Sequence, residues 1–329
     1  MFVVKYKKIF LLIAAFVMLF SAAVVFKYGL NLGIDFTGGA LTEVAYEVRP
    51  AKVEVEQQLN GLSSVQLGGF SLRETLDETG RDGYLLRTRD LSEEERLTVS
   101  GVMTELGEGG EVTRFTSIGP VIGQELKDKA VWAIGGVVMV IILYVAFAFR
   151  GVSYPVGSWF YGGITILALA HDVLVPTAVI AILGQTMGLE VDVLFVMAIL
   201  AVLGYSVNDT IVVFDRVREN LLRFRQEKKR KVKVEGDMQR EEIEYKLTKP
   251  FGKIVGESVS QTMMRSINTS VTTLLALGAL YFIGGDVTAT FALVLIVGVL
   301  AGTYSSIFLA NPLLVFLAER KLAKEEENN

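Results

Sequence analysis

The sequence of 329 residues is 51% hydrophobic, with a mean hydropathy of +0.46, and both values are high for a soluble protein. Its net charge of -4 conceals an acidic region before residue 130 and a basic region after residue 215. Because the chain has no cysteine and a single histidine, disulfide frameworks, thiolate metal or redox sites and multi-histidine metal sites are excluded, and no cofactor is expected.

Six apolar stretches are long enough to cross a bilayer, since about twenty residues at about 1.5 Å each span a hydrocarbon core of roughly 30 Å. They run from Ile9 to Tyr28, Ala130 to Phe149, Pro155 to Leu183, Val193 to Phe214, Ile267 to Ile283 and Thr288 to Leu317. The first follows three lysines and contains Ser21-Ala22-Ala23, as in a cleavable signal peptide, but its apolar run is too long for one, which favours a retained signal anchor. The predicted fold class is a membrane all-α bundle of six transmembrane helices with one folded domain outside the membrane.

The distribution of Lys and Arg predicts the orientation, because short cytoplasmic loops carry an excess of these residues. They cluster before the first span, at Arg150, from Arg216 to Lys253 and over residues 320–324, whereas the connections 184–192 and 284–287 have none. Both termini are therefore expected in the cytoplasm. The predicted segments are a cytoplasmic N-terminus with the first helix (1–29), an external domain (30–129), helices two to four (130–214), a basic cytoplasmic loop (215–264), helices five and six (265–318) and a cytoplasmic tail (319–329).

The segment between the first two spans has the apolar periodicity of a water-soluble α+β fold. Strands are predicted from Ala40 to Val48, Val65 to Leu72, Tyr84 to Thr88 and Val112 to Ile118, and helices from Pro50 to Gly61 and Leu91 to Leu106. Ser92 and Glu95 form a capping box at the start of the second helix. The order βαββαβ predicts a small ferredoxin-like domain, with a less regular α/β cap as the alternative. Its glycine-rich turns lack the spacing of a phosphate-binding loop, so a nucleotide-driven enzyme is not expected.

Polar or charged side chains occur at three places in the predicted spans, where a charge costs at least about 2.5 kcal/mol. They are His171-Asp172 in the third span, Asn208-Asp209-Thr210 in the fourth and Arg265 at the cytoplasmic mouth of the fifth. Helical spacing puts Arg265, Asn268 and Thr272 on one face, flanked by Thr269 and Thr273. One side of the fifth span is thus predicted to be a polar ladder.

Asp209 and Arg265 have similar predicted depths in consecutive spans, which makes an ion pair between them plausible. In the functional interpretation, Asp209 takes and releases a proton with Arg265 as a movable partner. The structural alternative is a buried pair that only holds the bundle together. For His171 and Asp172, helix packing and an ion pathway both stay open. Small and polar residues of the fourth span are expected to pack closely against another helix: Gly204, Ser206, Asn208 and Asp209.

Five runs of residues, in this order and spacing, resemble one known family. They are Gly33-Ile34-Asp35-Phe36-Thr37-Gly38-Gly39, His171-Asp172, the run from Gly204 to Arg216, the run from Arg265 to Ser270, and Gly302-Thr303-Tyr304-Ser305-Ser306. Together they resemble the SecF group of the SecD–SecF family of bacterial protein-export proteins, a branch of the resistance-nodulation-division superfamily.

The resemblance implies a multi-pass protein of the bacterial inner membrane with a periplasmic domain. It would pair with SecD beside the SecYEG channel and use the proton motive force to help move a translocating preprotein outward. Membrane lipids, YajC and YidC are further candidate partners, and neither nucleic acid nor enzymatic activity is expected.

The resemblance also implies roles for individual residues. Asp209 would be the proton-binding carboxylate and Arg265 its basic partner. The other candidates for the proton pathway are Asn208, Asp172, His171, Asn268 and Thr269. The residues that would shape the junction between the first span and the domain are Gly33, Asp35, Phe36, Thr37, Gly38 and Gly39.

Two other functions are weighed beside this one: a small-molecule or lipid exporter of the same superfamily, and a non-conducting membrane scaffold. An exporter should carry a large external domain with an apolar cleft, whereas this domain is short and acidic. The basic segment from Arg223 to Lys233 is expected to set topology or bind anionic lipid in preference to RNA.

Overall fold

The computed structural model describes residues 2–77, 79–150, 154–234 and 238–327. In chain order its elements are α1 (Phe2–Lys5), α2 (Lys7–Tyr28), α3 (Ile34–Thr37), β1 (Gly39–Ala45), α4 (Lys52–Asn60), β2 (Ser71–Leu76), β3 (Asp82–Thr88), α5 (Glu93–Glu105), β4 (Glu111–Ile118), α6 (Pro120–Ala148), α7 (Ser158–Thr186), α8 (Val193–Phe224), β5 (Arg225–Val234), β6 (Met238–Leu247), α9 (Phe251–Ile283), α10 (Asp286–Tyr304), a π-helical turn (Ser305–Ala310) and α11 (Asn311–Glu327). Within these ranges, six helical segments are long and apolar enough to cross a membrane, which confirms the six predicted spans.

The centre of the bundle is formed by α7, α8 and the last span, which runs through α10, the π-helical turn and α11. These segments bury about half of their apolar windows within the chain, whereas α2 and α6 bury only 17% and 6% of theirs. Large apolar side chains such as Phe16 and Trp132 are exposed on α2 and α6. A helix that is apolar on all sides is stable only where lipid or another helix covers it.

Two spans begin earlier in the structure than the apolar pattern predicted. The helix α6 begins at Pro120 instead of Ala130, and α9 begins at Phe251 instead of Ile267. Proline favours the first helical position, which Pro120 occupies in α6, and the segment added there is mostly polar. The segment added to α9 alternates polar residues with apolar ones that are buried in the bundle, namely Phe251, Ile254, Val255 and Val259. Hydropathy finds only the part of a helix that lipid could surround, so it misses such extensions.

The external domain contains a four-stranded antiparallel sheet in the order β2-β3-β1-β4. With α4 and α5, this order gives the ferredoxin-like βαββαβ topology and confirms the prediction. One face of the sheet packs on both helices around a closed apolar core that includes Tyr46, Leu86 and Met103. The predicted capping box is present, because the Glu95 amide donates to Ser92 Oγ and the Ser92 amide donates to Glu95 Oε2.

The predicted strand from Val65 to Leu72 is wrong over most of its length, since β2 begins at Ser71. Val65 and Leu67 are buried in the domain core from an irregular segment that pairs with no strand. Gly68 follows with a φ of 67°, a left-handed conformation that interrupts an extended chain. The alternating apolar residues of this segment therefore indicate burial in the domain core, but they do not indicate that the segment pairs in the sheet.

The predicted basic loop 215–264 is largely regular structure. The helix α8 continues to Phe224, β5 and β6 form an antiparallel hairpin, and α9 begins at Phe251. Residues 235–237, between the two strands, lie outside the described residues.

Candidate functional site

Asp209 of α8 lies in the centre of the bundle and is 8% exposed. Its carboxylate accepts hydrogen bonds from Ser266 Oγ of α9 at 2.6 Å and from Ser306 Oγ of the π-helical turn at 2.9 Å. Both donors are neutral hydroxyls, so the charge of Asp209 is stabilised by hydrogen bonds without a cation in contact.

A second buried acid, Asp172, lies on α7 and is 0% exposed. One of its oxygens is 2.8 Å from His171 Nδ1, and the other accepts from Ser305 Oγ at 2.7 Å and from Ser206 Oγ. The His171 ring stacks on Tyr304 with centroids 5.8 Å apart. The structure thus brings His171 and Asp172 into one hydrogen-bonded group with the last span.

The last span approaches α8 closely because the residues of α10 that face α8 include two glycines. A Cβ atom on Gly298 would lie 2.2 Å from Val202 Cγ2, and one on Gly302 would lie 3.1 Å from Ser206 Cβ. Gly298, Gly302 and Ser306 repeat every fourth residue and so share one helix face, a pattern that allows membrane helices to pack with their backbones near each other. This packing places the Ser305 and Ser306 hydroxyls within reach of the two carboxylates.

We expect Gly298→Ala to destabilise the bundle by about 1 to 3 kcal/mol, because the added methyl group forces α10 away from Val202. The measurement is thermal unfolding of the purified protein in detergent. Gly278→Ala on α9 is the matched control, since its Cβ would meet nothing within 4 Å. Equal unfolding temperatures for the two variants would contradict the close contact between α10 and α8.

The structure does not bring Asp209 and Arg265 together as an ion pair. Among the ion pairs of the described residues, Asp209 has none, and the Arg265 side chain is exposed. Helical periodicity correctly put Arg265, Asn268 and Thr272 on one face, but α9 turns its Ser266 and Ser270 side toward the bundle. The reason is that spacing fixes which residues share a face and not which face packs.

The candidates for the proton pathway therefore form two sets. His171, Asp172 and Asp209 are buried within the chain. The outward-facing set consists of Asn208, Arg265, Asn268 and Thr269. Gly204 also faces outward, with nothing within 4 Å of a Cβ built on it, so the predicted close packing of the fourth span is made by Ser206 and Asp209 and not by Gly204 and Asn208.

The run from Gly33 to Gly39 connects the first span to the external domain and holds the start of α8. The Gly33 amide donates to the Val191 carbonyl at 2.8 Å, and Asp35 Oδ2 accepts from the Val193 amide at 2.9 Å. Phe36 is buried in the apolar cluster that also contains Phe195. The external domain is thus attached to the first turn of the helix that carries Asp209.

Gly38 and Gly39 occupy positions where a side chain would be strained and obstructed. Their φ angles are 73° and 128°, in the region that favours glycine. A Cβ on Gly38 would lie 2.7 Å from Pro120 Cα, and one on Gly39 would lie 2.5 Å from the Thr88 carbonyl oxygen. The two glycines therefore allow the chain to pass between the start of α6 and the end of β3.

Two acids meet the amide groups at the start of α8. Asp192 Oδ1 accepts from the Phe195 amide at 2.8 Å, next to the Asp35 bond described above. Burial raises the pKa of the Asp192 carboxyl, and the nearby Asp35 carboxylate adds to this increase.

Glu190, in the loop between α7 and α8, is the ionic contact between this loop and the sheet. Its Oε1 lies 2.7 Å from Arg73 Nη2 of β2 and 3.1 Å from Arg87 Nη1 of β3. Arg87 also donates to Thr37 Oγ1 at 2.8 Å, so the Thr37 hydroxyl joins the same network. The three charged side chains are only 16% to 28% exposed, which limits screening by solvent.

Glu190→Gln should loosen the external domain by about 1 kcal/mol, because it removes the shared countercharge of two arginines. Hydrogen exchange of the β2 and β3 amides is the measurement, with faster exchange expected in the variant. Glu125→Gln is the control, since its pair with Lys129 lies within one helix and is exposed. Unchanged exchange in Glu190→Gln would show that apolar contacts alone hold the junction.

The serines at positions 206, 266, 305 and 306 bind the two carboxylates but were not predicted as site residues. Their sequence signals were the close helix packing expected for Ser206 and the position of all four serines within the runs that resemble the family, and neither signal assigned them to the carboxylates. In the described part of the chain, no group of three or more His, Cys, Asp or Glu side chains is arranged to hold a metal ion.

Comparison with known proteins identifies the family. The model of the SecD/SecF C-terminal region of protein export membrane proteins matches residues 98–235 and 234–320, and the SecD/SecF GG motif matches residues 23–48. The chain is 37% identical to a protein translocase subunit SecF of Thermobaculum terrenum, over 95% of this chain and 92% of that protein. A second SecF, from Sebaldella termitidis, is 36% identical over 99% of this chain and 94% of that protein.

A solved structure has the same fold. The crystal structure of SecDF from Thermus thermophilus, described as a translocon-associated membrane protein, superposes with a TM-score of 0.76 at 30% identity. It covers 95% of this chain, whereas this chain spans only 38% of that fused protein. With both matched models covering most of its length, the chain belongs to the SecD/SecF family of protein export membrane proteins.

Proposed function

We propose that this chain is a SecF-type subunit that works with a SecD subunit at the Sec translocon and uses the proton motive force to promote preprotein translocation. The observation that carries the proposal is the buried carboxylate of Asp209, which accepts hydrogen bonds from two serine hydroxyls of other helices. Asp209 lies on α8, and the first turn of α8 is bound to the junction with the external domain. The names of the relatives support the process, since they are protein translocase subunits.

Proton binding at Asp209 would couple to movement in three steps. A proton enters from the external side and neutralises Asp209, which then no longer needs two hydroxyl donors. The packing of α8 against α9 and the last span changes because those donors lie on the other two helices. The junction from Gly33 to Gly39 transmits the shift of α8 to the external domain, and release of the proton to the cytoplasm resets the helix.

The electrical energy available is sufficient for such a cycle. Moving one charge through 100 mV is worth about 2.3 kcal/mol, which changes the ratio of two conformations by roughly 50-fold. No nucleotide chemistry is needed, and we propose that the subunit has no enzymatic activity of its own.

A SecD partner would cover the outward-facing polar set. Arg265, Asn268 and Thr269 are exposed on a membrane-spanning helix, where contact with lipid is costly. A second set of spans that supplies a carboxylate or other acceptors would satisfy these side chains. The fusion of both parts in the solved SecDF relative supports this pairing, and SecYEG is the expected site of action.

In the proposed orientation both termini are cytoplasmic and the ferredoxin-like domain is periplasmic. The N-terminal lysines Lys5, Lys7 and Lys8 and the Lys and Arg residues of the β5 and β6 hairpin support this placement, because short cytoplasmic segments are enriched in Lys and Arg. Lys7, at the start of α2, forms an ion pair with Glu319 of α11, so the start of α2 and the last part of α11 lie on the same side of the bundle.

The test uses inverted membrane vesicles that contain SecYEG and SecD, with or without this chain. Preprotein import is started with the Sec ATPase and ATP, and protease protection then measures completed import with and without an uncoupler. The chain should increase completed import only when the proton motive force is present. An equal increase after addition of the uncoupler would contradict proton coupling, and no increase in either case would contradict a translocase function.

A further inference from the structure

The π-helical turn of the last span, Ser305–Ala310, lies between the two buried acids. Its first residue donates to Asp172 of α7 at 2.7 Å, and its second donates to Asp209 of α8 at 2.9 Å. Consecutive side chains of one turn thus bind carboxylates on two different helices. We propose that this turn is the element that converts a change of charge on Asp209 into a movement of the last span, an inference that rests on the proton binding proposed above.

Each of the two serine hydroxyls has a second acceptor on its own helix. Ser305 Oγ is 3.2 Å from the Gly302 carbonyl oxygen, and Ser306 Oγ is 3.2 Å from the Thr303 carbonyl oxygen. A hydroxyl carries one hydrogen, so it can point that hydrogen fully at the carboxylate or fully at the backbone, but not at both. The serines therefore have two alternative hydrogen-bonded states.

The charge of Asp209 selects between these states. An ionised carboxylate only accepts, so Ser306 donates to it. When a proton binds Asp209 Oδ2, the O–H formed donates to Ser306 Oγ, whose own hydrogen turns to the Thr303 carbonyl. The serine itself neither gains nor loses a proton. Hydrogen bonds from Ser to a carbonyl one turn earlier bend helices, so the last span is expected to change direction at this point.

Asn311 holds the turn by a hydrogen bond, while polar groups nearby are left that a second conformation of the turn could satisfy. Asn311, which is 0% exposed, donates from Nδ2 to the Ser306 carbonyl at 2.6 Å. Its Oδ1 atom and the hydroxyl of Thr210, the residue after Asp209, are buried and have no hydrogen-bond partner among the residues that the structure describes. Unsatisfied buried groups are costly, and π-helical turns are frequent at functional sites. Asn311 is thus a positioning residue that stabilises one form of the turn while leaving polar groups that another form could satisfy.

Several titratable side chains lie on the helices around this turn, and among them the exposed Arg265 of α9 faces away from the bundle. They are His171 and Asp172 on α7, Tyr205 and Asp209 on α8, Arg265 on α9, Tyr304 on α10, and the Lys7 and Glu319 pair on α2 and α11. Only Asp172 and Asp209 accept hydrogen bonds from the turn. Thr177 of α7 donates to the Val173 carbonyl of its own helix at 2.6 Å and, among the hydrogen bonds of the described residues, has none to either acid or to the turn, which makes it a matched comparison.

The test measures a distance across the bundle in the assembled complex with SecD. Because the chain has no cysteine, spin labels can be attached to Arg223→Cys on α8 and Arg320→Cys on α11, both exposed positions. Pulsed electron paramagnetic resonance then gives the distance in acidic and in mildly alkaline buffer. We expect acid to change this distance, Asp209→Asn to hold the acid distance in both buffers, Ser306→Ala to abolish the change and Thr177→Val, which removes a hydroxyl away from both acids, to retain it.

Two results would overturn the proposal: a full acid-induced change in Ser306→Ala, or loss of the change in Thr177→Val as well. If Ser306→Ala does not assemble with SecD, Asn311→Ala replaces it, since it keeps both hydroxyls but frees the turn, and an undiminished change in that variant overturns the proposal. Failure of the proposed function looks different, because Asp209→Asn would then respond to acid like the unmodified chain.

Discussion

Replacing Asp209 with Asn is expected to abolish the part of preprotein export that depends on the proton motive force while leaving assembly with SecD intact. Asparagine has the size of aspartate and can still bond to Ser266 and Ser306, but it cannot bind and release a proton. The cycle then loses a bias of up to roughly 50-fold per charge moved through 100 mV. The measurement is pulse-chase export of a preprotein in cells that depend on this chain.

The control for this experiment is Asp128→Asn, the same chemical change on the exposed external part of α6. Its carboxylate contacts only Gln124 of the same helix among the hydrogen bonds of the described residues, so export should stay normal. Export by Asp209→Asn at the level of this control would mean that the buried acid serves only to pack helices, and the scaffold interpretation would then be preferred.

Gly39→Ala should have the second large effect, because it disrupts the connection between the membrane bundle and the external domain. The residue has a φ of 128°, a conformation that costs an alanine about 1 to 3 kcal/mol, and its Cβ would lie 2.5 Å from the Thr88 carbonyl oxygen. Because neither backbone can yield easily, β1 must shift relative to β3. We expect faster proteolysis of the external domain and loss of proton-driven export.

The matched substitution is Gly69→Ala, in the irregular segment before β2. Its φ lies outside the left-handed region, and a Cβ there would meet nothing within 4 Å. Similar protease resistance together with similar export in the two variants would contradict a special role for Gly39. If Gly39→Ala resists proteolysis but loses export, the junction transmits motion without stabilising the domain.

Much of the architecture could be predicted because strong local signals determine it. The six spans follow from the length of the apolar stretches, and the ferredoxin-like topology follows from the order βαββαβ. The strand from Val65 to Leu72 could not be placed correctly, since Val65 and Leu67 are buried without pairing in the sheet. Burial and strand pairing produce the same short apolar pattern.

The candidate site was predictable only in its charged members. Asp172 and Asp209 are conspicuous because ionisable residues are rare in membrane spans. Their partners Ser266, Ser305 and Ser306 are ordinary in such helices and come from distant parts of the chain. Arg265 was assigned to Asp209 because both residues have a similar predicted depth. The face that α9 turns toward the bundle depends on its packing against other helices, and this cannot be read from the sequence of α9 alone.

The central claim is that the Asp209 carboxylate changes its charge during function. Infrared difference spectroscopy of the purified complex, between mildly alkaline and acidic buffer, detects the carbonyl band of a newly protonated carboxyl group. We predict such a band in the unmodified complex and in Asp128→Asn, and its loss in Asp209→Asn. A band that persists unchanged in Asp209→Asn would contradict the claim, since another group would then be binding the proton.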